Sequence, residues 1–147
     1  MKIGIVSSCG GHLTEVMCLK SIYEKHKYFY VINDRILLAE DMNEKTYFIR
    51  HSERDFKFFL NLFEALKILL KERPKILLST GAGPIVPFAL IGRLLFGCKI
   101  IYIETITRIN KPSLTGRLMY YLAHDFYYQW KELAVYFPNG RYCGLLV

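Results

Sequence analysis

Short apolar runs alternating with helical patterns constrain this chain more than any other feature. Ile3-Gly4-Ile5-Val6, Ile76-Leu77-Leu78 and Ile100-Ile101-Tyr102-Ile103 are near-continuous apolar segments, as strands covered on both faces require. Residues 2–7, 75–80 and 99–104 are therefore read as strands, joined by aromatic and β-branched strands at 27–32, 46–49, 125–129 and 141–143. Helical spacing marks residues 11–25, 55–72, 85–96 and 112–123. Residues 33–45 are polar, with a turn at Asn33-Asp34. Ser52-Glu53-Arg54-Asp55 has capping-box spacing ahead of the second helix, with Asp in place of Glu. The pattern predicts a single α/β domain over residues 1–147, with a Rossmann-like, mostly parallel sheet and helices on both faces. In such sheets ligands lie at the carboxyl ends of the strands.

Three segments fall on that edge. Ser7-Ser8-Cys9-Gly10-Gly11-His12 turns from a strand into a helix, where free N–H groups and the dipole favour an anion. His12 adds a group that exchanges a proton near neutral pH. Ser79-Thr80-Gly81-Ala82-Gly83-Pro84 is a second glycine turn. Glu104 closes a strongly apolar strand and is followed by Thr105 and Arg108. A carboxylate there can act as acid or base, bind a sugar hydroxyl, cap a helix or pair with Arg108. Arg108 and Lys111 lie near enough to this edge to meet a diphosphate, whereas Arg117 reads as solvated surface. No reading of the first loop supplies G-x-G-x-x-G, so Asp34 alone does not support dinucleotide binding.

Composition narrows the partners. Twenty Lys and Arg against 13 Asp and Glu give a net charge of +7, and the mean hydropathy is +0.18. A basic, apolar-rich chain suits an anionic membrane surface or a phosphorylated ligand. The basic residues are dispersed and no nucleic-acid module is present, so nucleic acid is not expected as a partner. Cys9, Cys18, Cys98 and Cys143 form no zinc spacing, so no metal is expected, and they fit a reducing compartment; without the dinucleotide fingerprint no cofactor is expected either. Cys9 is read as a small buried thiol. The first apolar run is too short for a secretory signal core. Residues 84–98 are interrupted by Arg93 and fall short of the ~20 residues that span a bilayer. Residues 55–71 carry Phe58, Phe59 and Phe63 among leucines and lysines, an apolar girth that fits either a membrane surface or a protein partner.

The order of these motifs, followed by Gln129-Trp130-Lys131-Glu132-Leu133, Tyr136-Phe137-Pro138 and Tyr142-Cys143-Gly144, resembles one family across the whole chain. It is that of the membrane-associated subunit of two-component UDP-sugar glycosyltransferases. One branch helps add the second N-acetylglucosamine to a dolichol-diphosphate sugar in eukaryotes. Another serves bacterial capsule and exopolysaccharide synthesis. The layout is more distantly similar to the N-terminal half of the lipid II-forming glycosyltransferase, a GT-B enzyme.

The resemblance implies an acceptor and membrane-binding half whose donor-binding glycosyltransferase partner is a separate chain, forming a heterodimer. UDP-sugar would reach the site through that partner, and the acceptor would be a lipid-linked sugar. With the chain ending at Val147, no donor domain is expected here. Where the eukaryotic subunits carry an N-terminal transmembrane helix, this sequence starts with a strand. Peripheral attachment to the cytoplasmic face of the plasma membrane is thus expected, with Phe58, Phe59 and Phe63 in contact. By the same resemblance Ser8, Gly10 and Gly11 approach the acceptor diphosphate, and Thr80, Gly81, Gly83, Thr105 and Arg108 line the cleft. His12 is the expected general base and Glu104 its rival. Two alternatives stay open, a non-catalytic scaffold for the partner and an independent nucleotide- or flavin-binding protein.

Overall fold

The computed structural model describes residues 1–33, 45–50 and 57–147. Asp34 and the capping box at 52–55 lie outside the described residues. The chain order is β1 (Lys2–Ser7), α1 (Gly11–Met17), α2 (Lys20–Tyr23), β2 (Lys27–Ile32), β3 (Thr46–Phe48), α3 (Lys57–Glu72), β4 (Ile76–Ser79), α4 (Ile85–Phe96), β5 (Lys99–Ile103), α5 (Leu114–Leu122), β6 (Asp125–Tyr128), a 3-10 helix (Lys131–Val135) and β7 (Arg141–Tyr142). The seven strands form one sheet in the order β3-β2-β1-β4-β5-β6-β7. Every neighbouring pair is parallel.

Strand alternation divides the core between two faces. Val6, Phe29, Val31, Leu77, Ile100, Tyr102 and Phe126 meet Ala65, Ile68 and Leu69 of α3, Phe88 and Ala89 of α4, and Met119 of α5. Ile3, Ile5, Tyr30, Ile32 and Leu78 turn to the other side, against Leu13, Val16 and Tyr23. Right-handed crossovers explain the split. The chain moves one way across the sheet from β1 to β2 and the other way from β4 through β6, so the helices fall on opposite faces.

The helices do lie on both faces, but unevenly. On the α1–α2 side, Ile3, Ile76, Leu78, Ile101, Ile103 and Tyr127 border an apolar groove of about 320 Å³. The single helix expected over residues 11–25 is broken in two. At the junction the Leu19 N–H bonds the Val16 carbonyl, three residues back. The tightened turn brings Tyr23 inward, where its hydroxyl lies 2.9 Å from that of Tyr30 and burial is almost complete.

The far edge of the sheet is held by charge. Glu72, at the end of α3, accepts from Lys2 at 3.0 Å and from Tyr47 and Lys45. Among the described residues, no helix is long and apolar enough to cross a membrane.

Candidate functional site

Three parallel β–α connections converge at the carboxyl ends of β1, β4 and β5. His12, in the first turn of α1, is half-buried. Its Nδ1 stands 3.1 Å from the Thr80 carbonyl oxygen, and the Thr80 hydroxyl returns a bond to the His12 carbonyl at 2.8 Å. A carbonyl only accepts, so Nδ1 carries a proton, and in the neutral form of the ring the lone pair is then at Nε2. Gly81 makes this approach possible. It has φ +108°, and a β-carbon there would lie 2.9 Å from Thr105 Cβ and 3.2 Å from the His12 ring. Thus His12, Thr80, Gly81 and Thr105 form one contiguous patch.

The other expected residues flank it. Gly10 and Gly11 are exposed and Ser8 is half-buried on the β1 loop. That loop is tied to the end of β2 by the Cys9 N–H, which donates to Asn33 Oδ1 at 3.3 Å. Cys9 is half-buried rather than buried, because its loop rides over the sheet edge; Cys98 is the buried thiol. Gly83 and Arg108 are exposed on their loops.

Glu104 is completely buried. It stands just past β5, where its N–H bonds the Tyr127 carbonyl at 2.8 Å. Both carboxylate oxygens are engaged. Oε1 accepts from the Thr105 N–H at 3.1 Å and the Tyr102 hydroxyl at 3.3 Å, and Oε2 from the Ser113 N–H at 3.1 Å. The Ser113 hydroxyl lies 2.8 and 3.0 Å from the two oxygens. Ser113 caps α5, accepting from the Gly116 N–H at 2.8 Å. Burial, and then the neighbouring Glu104 charge, hold the Tyr102 phenol protonated, its pKa well above the usual range. Of the possibilities open for Glu104, the geometry realises the link to a helix cap.

A second buried carboxylate escaped the sequence reading. Glu15 accepts from the Thr105 hydroxyl at 2.7 Å, the Ile106 N–H at 3.2 Å and Gln129 Nε2 at 2.9 Å. Gln129 Nε2 also reaches the Glu104 carbonyl at 3.1 Å, and Trp130 Nε1 donates to the Ile106 carbonyl at 2.7 Å. The Gln-Trp motif thus pins the loop after β5. The available signal was a carboxylate set between Leu13 and Val16 on a helix facing the sheet. Among the described residues no three His, Cys, Asp or Glu side chains are grouped as metal ligands would be.

Away from the edge, Phe59 and Phe63 of α3 are 66% and 57% exposed, whereas Phe58 is half-buried. Lys67 Nζ lies 4.6 Å from the Phe63 ring centre. Leu94 and Leu95, on α4 beside α3, are also exposed.

Residues 52–146 match the family model described as "Oligosaccharide biosynthesis protein Alg14 like". Relatives named UDP-N-acetylglucosamine transferase subunit ALG14 include that of Candida albicans, 41% identical over 58% of this chain and 41% of the relative. The Mus musculus subunit is 25% identical over the whole of this chain and 83% of its own length. That of Debaryomyces hansenii is 35% identical over 75% of this chain, which spans 54% of it. Among solved structures, MurG of Acinetobacter baumannii superposes with a TM-score of 0.79 at 16% identity, over 99% of this chain and 46% of that one. The UDP-GlcNAc 2-epimerase of Methanocaldococcus jannaschii follows at 0.65, with 16% identity over 90% of this chain and 40% of its own. The structural likenesses carry the Rossmann-like fold. The sequence match covers well over half of the chain, including its second glycine turn, its buried Glu104 and its Gln-Trp motif, and it places this protein in the Alg14-like family of oligosaccharide biosynthesis proteins.

Proposed function

We propose that this chain is the acceptor and membrane half of a two-component glycosyltransferase. A separate donor-binding chain holds the UDP-sugar, and the sugar passes to a lipid-diphosphate-linked acceptor. The observation that carries the reading is the His12 imidazole at the strand-end cleft, held through Nδ1 by the Thr80 carbonyl, which leaves Nε2 as the acceptor of the neutral ring. In the transfer, Nε2 takes the proton of the acceptor hydroxyl. The acceptor oxygen bonds to the anomeric carbon, and the bond to UDP breaks with its electrons going to the diphosphate. Gly10 and Gly11 leave the β1 loop open to the acceptor diphosphate, and exposed Arg108 supplies a positive charge beside it. Glu104, buried with both oxygens engaged, orders the cleft by joining β5 to α5. The names of the relatives support the transferase reading. The exposed Phe59 and Phe63 beside Lys67 support peripheral attachment to a membrane, and the reading takes that membrane face to be the cytoplasmic one.

The test is reconstitution. The chain, co-expressed with a donor-binding glycosyltransferase encoded beside it, is assayed with radiolabelled UDP-sugars on membranes containing lipid-linked acceptors. Transfer that requires both chains and falls sharply with His12→Ala supports the reading. Transfer that requires both chains but survives His12→Ala and Glu104→Gln makes this chain a scaffold. Tight binding of a nucleotide or flavin by the chain alone, with no partner-dependent transfer, makes it an independent binding protein. The labelled product also identifies the glycan, capsule or exopolysaccharide in the expectation from sequence.

A further inference from the structure

Glu15 and His12 stand three residues apart on a helix of only seven residues that has no side-chain cap. The two residues fasten that helix to different parts of the cleft. His12 is tied to the β4 loop through Thr80. Glu15 is tied to the β5 loop through Thr105 and Ile106 and to the end of β6 through Gln129. Glu15 is 3% exposed and Gln129 1% exposed, so these bonds form where water does not compete and each is correspondingly consequential. No other link to the β5 loop or to β6 is formed by a polar side chain of α1 among the bonds of the described residues. Leu13 and Val16 seat this helix on the sheet, but apolar packing is non-directional, so with a polar tie only at His12 the helix can still rotate by small amounts on that seat. Fixed at both ends, it holds one orientation.

We infer that Glu15 is a positioning residue of the transfer reaction, holding α1 so that the His12 ring stays registered against the cleft-lining loop at Thr105–Arg108. The inference rests on the reading of His12 as the base. Its chemistry requires a carboxylate. The Ile106 N–H and the Gln129 amide are donors that converge on Oε2, and the Thr105 hydroxyl donates to Oε1. A glutamine at position 15 satisfies the first two only by turning its own NH₂ toward Thr105. That hydroxyl can accept only if its proton rotates away, toward Thr107 Oγ1 3.3 Å distant. Glu15→Gln therefore keeps the shape and loosens the link, whereas Glu15→Ala orphans the Ile106 N–H inside the protein. Misplacement of a reacting group by about 1 Å costs on the order of 10²-fold in rate, which sets the scale of the effect.

The experiment uses the reconstituted two-chain enzyme, with Glu15→Gln as the main variant and Thr105→Val as a second, milder one. Lys45→Met, at the far edge of the sheet, serves as a stability control. Glu15→Gln is expected to lower kcat by about 10- to 100-fold with KM for the UDP-sugar unchanged, and Thr105→Val by less. In a His12→Ala background Glu15→Gln should have no further effect, because it acts through His12. An independent readout needs no activity: ¹⁵N NMR of the labelled chain alone. The wild type should show the Nδ1–H tautomer at neutral pH, and Glu15→Gln a mixture of tautomers. A full multiplicative loss in the His12→Ala background, or an unchanged His12 tautomer in Glu15→Gln, overturns the inference. An equal kcat loss in Lys45→Met, matching its loss of melting temperature, also overturns it. If His12→Ala alone leaves turnover intact, the base assignment fails, and the tautomer result still decides whether Glu15 positions the ring.

Discussion

The backbone of Gly116 passes so close to Glu104 that a β-carbon there would stand 1.8 Å from Oε2. The carboxylate cannot swing aside, since Ser113, Thr105 and Tyr102 hold it. Gly116→Ala should therefore destabilise the fold, against the usual helix preference for alanine. Overpacking of this kind costs about 1–3 kcal/mol, or a fall in melting temperature of about 2–12 °C for a domain of this size. Thermal unfolding followed by circular dichroism measures it.

On the proposed reading of His12 as the base, its loss separates from loss of the cleft. His12→Ala should reduce turnover of the assembled enzyme by ~10²–10⁴-fold. Its melting temperature should change little, because the ring is half-buried and, among the described residues, its hydrogen bond is the one to Thr80. Gly81→Ala should damage both properties. The positive φ strains alanine, and the added methyl pushes on Thr105 and on the His12 ring. Steady-state kinetics and melting curves on the same preparations distinguish the two patterns.

Membrane attachment should depend on two rings and not on the third. Phe59→Ser and Phe63→Ser remove exposed side chains, so each should weaken vesicle binding without altering stability. Each ring entering the interface contributes about 1–2 kcal/mol, a 5- to 30-fold change in the partition coefficient on vesicles containing anionic lipid. Phe58 is half-buried beside Phe59, with ring centres 6.2 Å apart, so Phe58→Ser should lower the melting temperature and leave vesicle binding of the folded protein unchanged. Sedimentation with vesicles and thermal unfolding together check this.

Acid should loosen the far edge of the sheet. Burial raises the pKa of Glu72, but hydrogen bonds from Lys45, Tyr47 and Lys2 outweigh it and bring the value to about 2, against an ordinary 4.5. The folded state thus favours the ionised form. The stabilisation is complete above about pH 4.5 and is lost as pH falls toward about 2. Because Lys45 and Lys2 remain in contact with solvent, the contribution is about 1–3 kcal/mol. Glu72→Gln should lower stability at pH 7 by that amount, and the gap from wild type should close near pH 2. Denaturant unfolding across this range measures the difference.

Local patterning determined the element order, the parallel sheet and the edge where His12, Thr80 and Thr105 gather. Strand and helix periodicities are properties of neighbouring residues, and parallel β–α alternation sends every strand end to one edge. Tertiary structure alone decided the rest. The 11–25 helix breaks because Tyr23 is drawn beneath the sheet to the Tyr30 hydroxyl. Glu104 turns inward because the β5–α5 connection brings Ser113 back onto it. Phe58 and Phe59 are adjacent in sequence, yet only the rotation of α3 against the sheet leaves the second exposed. Glu15 and Gln129 are separated by 114 positions, and a carboxylate on a short helix reads as surface until the loop after β5 and the end of β6 close over it. Burial of a charge depends on where its donors arrive in space, and periodicity along the chain does not encode that.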